Sequence, residues 1–94
     1  MRVEWSDAAL DNLDQAVEYI AQDKPAAAAK VAQKIWDATQ RLGEQPGIGR
    51  PGRVEGTREL VITGLPYIVP YVVKGDRVIV LRVMHAAMKW PEQL

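Results

Sequence analysis

The stretch from Gly56 onward constrains the fold most, because residues 56–85 hold three β-forming runs and the turns between them. Gly56-Thr57-Arg58-Glu59-Leu60-Val61 opens the first run, and Gly64-Leu65-Pro66 turns it. Tyr67-Ile68-Val69-Pro70-Tyr71 carries the second, and Gly75-Asp76 turns that one tightly. Val78 to His85 forms the third, ahead of a closing Lys89-Trp90-Pro91. Strands are therefore expected at about 57–63, 67–74 and 77–85. Pro70 lacks a ladder donor, so its strand is expected to bulge there or to turn that position outward. The last run is apolar on both faces, which suits a central strand.

Helical periodicity precedes these strands. Arg2 to Trp5 reads as a short strand and Ser6 as an N-cap, with Trp5 and Leu10 placed for a hydrophobic staple. Leu10, Leu13, Val17 and Ile20 recur on one face of a helix over about 7–21. Pro25 sits in the first turn of a second helix, whose stripe is Ala28, Val31, Ile35 and Leu42, and Gly43 can end it. The alanines favour close approach, hence an antiparallel helical hairpin. Residues 43–56 contain five glycines and two prolines, a density at which no regular element is expected. A loop of that length in a compact domain is often functional. The reading is one α+β domain over 1–94: a helical hairpin packed on one face of a small, mainly antiparallel sheet, with a basic-rimmed face left open.

Composition narrows the function. No run reaches the ~18 apolar residues of a membrane span, and no apolar export signal follows Met1, so a cytoplasmic protein without membrane contact is expected. Cysteine is absent, which removes disulfides and zinc–thiolate sites; no spacing suggests a metal, and no cofactor fingerprint is present. Twelve basic residues cancel twelve acidic ones, which argues against autonomous DNA binding. The charges are polarised, however: residues 1–45 carry a net −3 and residues 46–94 a net +3.

His85 is the only histidine, able to move a proton near neutral pH or to bond a carbonyl quietly. Arg58 and Arg82 lie in strands, where each guanidinium can grip phosphate or pair with Glu59 or Glu55. Arg50 and Arg53 in the glycine-rich loop can hold phosphate or an acidic protein surface. Tyr67 and Tyr71 share one strand face, positioned to stack on bases or to pack the sheet. Trp90-Pro91 suits a lid on the core.

The order of elements and the motifs Pro46-x-x-Gly49-Arg50-Pro51, Gly56-Thr57-Arg58-Glu59-Leu60, Pro66-Tyr67-x-x-x-Tyr71, Leu81-Arg82-Val83-Met84-His85 and Trp90-Pro91 together resemble the RelE/ParE superfamily of toxins from type II toxin–antitoxin modules. The resemblance spans nearly the whole chain and implies a cognate antitoxin as partner. It also implies one of two targets. RelE-like toxins enter the ribosome and cut mRNA without a metal; ParE-like toxins inhibit DNA gyrase. For the nuclease, the resemblance puts Arg58 on the strand of one catalytic arginine and Arg82 and His85 close to other catalytic positions, with Lys89 as the substitute for an arginine of the pattern; Arg50, Arg53, Tyr67 and Tyr71, read from the residues themselves, are the candidates for contacting RNA or a partner. The segment Ala86-Ala87-Met88-Lys89 departs from the pattern, in which an arginine often follows this histidine, and no terminal tyrosine is present. Ribosome-dependent mRNA cleavage is the first expectation, and gyrase inhibition the alternative.

Overall fold

The computed structural model describes residues 1–94. In chain order the elements are β1 (Arg2–Trp5), α1 (Asp7–Ala21), α2 (Pro25–Gln40), a 3-10 turn (Arg41–Gly43), β2 (Arg50–Pro51), β3 (Arg58–Val61), β4 (Tyr67–Lys74), β5 (Arg77–Val80) and β6 (Met84–His85). Helix α1 starts where its cap dictates. Ser6 is extended, its Oγ accepts the Ala9 N–H at 3.0 Å, and its own N–H donates to the Val80 carbonyl at 2.9 Å. The hydrophobic staple does not form: Leu10 is 44% exposed, and Trp5 stacks instead on Trp36 of α2, ring centroids 5.8 Å apart. A tryptophan partner offers more area than a leucine one, and α2 brings it over β1.

The strands run in the order β1-β5-β4-β3-β2, with β1 parallel to β5 and the other pairs antiparallel. Apolar β5 thus lies between two neighbours, as its two-sided hydrophobicity suggests. Gly75, at φ 58, takes the left-handed conformation that the β4–β5 hairpin turn requires. Registers fix the faces, because cross-strand partners share one. Leu60 pairs with Val69 and Tyr71 with Val80, and all four join Ile35 and Leu42 of the helical side in the core. Glu59, Ile68, Pro70 and Ile79 lie on the other face.

Two expectations are corrected. The loop after α2 is not free of regular structure, because Arg50–Pro51 pairs with Arg58 and Glu59 as an edge strand. The last strand is also broken. Tyr71 faces Val80 while Ile68 faces Met84, so two residues of β4 oppose three, residues 81–83, in a bulge. Proline causes it. The Leu81 N–H bonds the Pro70 carbonyl at 2.9 Å, and Pro70 has no N–H to return.

Candidate functional site

The arginines converge on one buried carboxylate. Glu59 is 3% exposed, on the sheet face opposite the helices. Its Oε1 accepts from Arg50 Nε at 3.1 Å and Nη2 at 3.0 Å. Its Oε2 accepts from the Arg53 N–H at 2.8 Å and from Arg53 Nε at 3.2 Å. Burial pushes the Glu59 carboxyl up, but the Arg53 amide and the two guanidinium groups outweigh that effect and hold it below the ordinary glutamate value. Arg53 also lies over the Trp90 ring, 3.6 Å from its centroid. That stacking contributes ~0.5–1 kcal/mol at a half-exposed site. The Trp90 Nε1 is buried without a partner, which costs about 1–3 kcal/mol.

Arg58 goes elsewhere. It pairs in register with Tyr71 and so shares the helical side, and its Nη1 donates to the carbonyls of Gly49 at 2.8 Å and Gly47 at 3.5 Å. Tyr71 is fully buried, its hydroxyl donating to the Pro46 carbonyl at 2.7 Å and accepting from the Gly49 N–H at 2.9 Å. Of the two tyrosine readings, sheet packing is the one Tyr71 adopts. Neither Arg58 nor Arg82 pairs with Glu59 or Glu55, contrary to the salt bridges considered from sequence. Period-two alternation forbids the first pairing, since adjacent Arg58 and Glu59 point to opposite faces. Arg82 lies in the bulge, partly buried, with Nε unpartnered.

His85 marks a different place. It pairs in register with Tyr67 and meets its ring edge-on, centroids 5.5 Å apart. The Ala87 N–H donates to His85 Nδ1 at 3.1 Å, an arrangement that in a neutral imidazole leaves the hydrogen on Nε2. Burial, with the Tyr19 phenol nearby, pushes the Tyr67 hydroxyl up, so it stays protonated at neutral pH. The imidazole opens on a groove of about 470 Å³ between α1 and the β4–β6 end, lined by Ala16, Tyr19, Tyr67, Val83 and Met88. Asn12, which the sequence did not flag, shapes it by accepting the Val83 N–H at 3.1 Å.

Arg58 and His85 are not brought together. Arg58 faces Tyr71 from β3, and His85 faces Tyr67 from β6 on the other side of β4. By ordinary strand spacings their backbones stand roughly 16 Å apart. Lys89 is exposed on the C-terminal segment, without an ion pair. No group of His, Cys, Asp and Glu side chains is placed to hold a metal ion, and no helix is long and apolar enough to cross a membrane.

Residues 3–90 match the family model for the ParE toxin of the type II toxin–antitoxin system parDE. The chain belongs to the ParE toxin family. It is 47% identical over 93 residues to Y4kP of Sinorhizobium fredii, covering 99% of this chain and 96% of that one. It is also 36% identical over 86 residues to toxin RelE2 of Caulobacter vibrioides, covering 92% and 96%. Among solved structures, a chain of the chromosomal ParDE system from P. aeruginosa superposes with a TM-score of 0.83 at 30% identity, over 90% of this chain and 95% of that one. A YoeB/ParE toxin from Agrobacterium tumefaciens shares the fold, with a TM-score of 0.63 at 22% identity over 90% and 98%. As a ParE-family member this chain is the toxin of a type II module, and such a toxin implies a cognate antitoxin.

Proposed function

We propose that this toxin arrests growth by binding DNA gyrase rather than by cutting RNA, and that its antitoxin silences it by covering the same surface. One observation carries the reading: Arg58 and His85, two of the side chains a ribonuclease would need, stand far apart and each already holds backbone groups. Metal-independent cleavage requires a base at the 2′-hydroxyl, a cation at the phosphorane and an acid at the leaving oxygen, all within a few ångströms. Here Arg58 Nη1 is held by the Gly47 and Gly49 carbonyls, while His85, roughly 16 Å from Arg58 by strand spacings, has its Nδ1 taken by the Ala87 amide. Arg50 and Arg53 are tied to Glu59. A binding inhibitor needs only a complementary surface. The groove beside α1, with Tyr19 and Met88 exposed at its rim, suits the apolar side of an antitoxin helix.

Purified toxin is expected to block supercoiling by gyrase or to trap its cleaved DNA. Message on translating ribosomes should stay intact, and growth arrest should survive His85→Ala. Codon-dependent cuts that His85→Ala abolishes, with gyrase unaffected, would return the chain to the ribonuclease reading.

A further inference from the structure

Residues 86–94 form no helix or strand, and their attachment is sparse. The Ala86 N–H bonds the Pro66 carbonyl at 2.8 Å, and the Ala87 and Met88 amides bond back to His85. From Lys89 on, no hydrogen bond or ion pair reaches the body. The one directional contact there is the Trp90 ring against the Arg53 guanidinium. Arg53 in turn is bonded to Glu59, whose register partner is Pro70. That chain of contacts places Trp90 at the Pro70 end of the sheet face opposite the helices, whereas Met88 before it lines the groove beside α1. Ile68, Pro70 and Met84 on that face are buried although no helix covers them.

We propose that residues 89–94 are a releasable strap, latched over this face by the Trp90–Arg53 stack. Two features make it releasable rather than fixed. Its anchor buries an indole N–H with no acceptor, so closure gains a stacked cation and loses a hydrogen bond to water. And Arg53 keeps its place without Trp90, because Glu59 holds both its amide and its Nε. Opening therefore leaves the sheet intact. It bares the apolar strip of Ile68, Pro70 and Met84 beside Arg50 and Arg53, and frees an indole with an available N–H. Tryptophan is the side chain protein interfaces most often bury as an anchor, so the open strap offers Trp90 to a protein partner. This holds whichever target the toxin has.

Trypsin supplies the test, since the exposed Lys89–Trp90 bond is cut only when the strap leaves the body. Loss of residues 90–94 is followed by intact mass on the folded chain. Arg53→Gln, which leaves the scissile bond unchanged and keeps a donor for Glu59, is expected to speed that cleavage roughly two- to fivefold. Trp90→Ala should do the same, after correction with peptides of residues 84–94 carrying either side chain. Hydrogen exchange across β3 and β4 should not change in Trp90→Ala, which leaves Glu59 both of its arginines. Rates within twofold of the parent in both variants would overturn the strap. So would acceleration in Trp90→Ala accompanied by lost protection in β3 and β4, which would make Trp90 part of the core.

Discussion

Ser6 Oγ donates to the carbonyl of Leu81 at 2.8 Å, joining two positions 75 residues apart. The same oxygen accepts the Ala9 N–H and caps α1. Leu81 is the residue whose amide bonds the Pro70 carbonyl and gets no donor back. One hydroxyl thus starts the first helix and satisfies the carbonyl at the strand break. The groove beside His85 depends on that junction, because the bulge it stabilises carries Val83 into the core and sets β6 against Tyr67.

Ser6→Ala should therefore cost more than an ordinary lost cap. Capping contributes ~1 kcal/mol, and the stranded Leu81 carbonyl adds about as much, for roughly 2 kcal/mol in all. Melting should fall by about 10 °C in a domain of this size. Ser6→Asp separates the two roles: it restores an acceptor for the helix but no donor for Leu81, so it should recover only part of the loss. Full recovery by aspartate in urea denaturation would show that the strand break gains nothing from Ser6.

Glu59→Gln tests the arginine cluster as a stabilising element. Removing one partner of a buried ion pair commonly costs about 3–5 kcal/mol. Arg50 and Arg53 are 52% and 45% exposed at their side chains, so both can return to water. The loss should shrink accordingly, to roughly 2 kcal/mol. Denaturant midpoints of the variant and its parent at neutral pH give the figure directly. An unchanged midpoint would make the cluster a surface ornament.

Acid should erase the same contribution. The folded Glu59 carboxyl titrates below the ordinary value of 4.5, so its stabilisation is fully present above that pH. It declines as pH falls from there through the lowered folded value. Between pH 7 and 5 the difference in stability between parent and Glu59→Gln should stay constant. Below about 4.5 the difference should narrow. Urea titrations at successive pH values measure it, and a difference that widens in acid would reverse the sign of the argument.

The sequence made most of the scaffold legible because each element carries a local cause. Ser6, Pro25 and the Gly75-Asp76 pair place boundaries through local capping and turn chemistry. Both helices and β4 fall where periodicity puts them. The fate of the final run was harder to read, since Pro70 acts across the ladder on residues 81–83 and not on its own strand. The site was less legible still. Arg50, Arg53 and Glu59 meet only because the edge strand β2 folds back in register on β3, and two residues give no periodic signal. His85 and Arg58 look like neighbours in a list of strand residues, yet the order of β3, β4 and β6 sets them on opposite sides of β4. Strand order is a tertiary fact, and side-chain type alone does not encode it.

Gly49 offers the sharpest probe of the loop that Arg58 and Tyr71 hold. A Cβ there would fall 2.5 Å from the Tyr71 hydroxyl, 2.6 Å from its Cε1 and 2.9 Å from the Glu59 carbonyl. Gly49→Ala should destabilise by roughly 2–3 kcal/mol, since neither the buried ring nor the strand can step aside freely. Tyr71→Phe alone should cost about 1–3 kcal/mol, because it strands the Pro46 carbonyl and the Gly49 N–H. Combined, the two changes should cost less than their sum, because phenylalanine removes the nearest clashing atom and the loop is then already loosened. Strict additivity in the double-mutant cycle would mean that the clash falls on the Glu59 backbone, and that Tyr71 does not set the position of the loop.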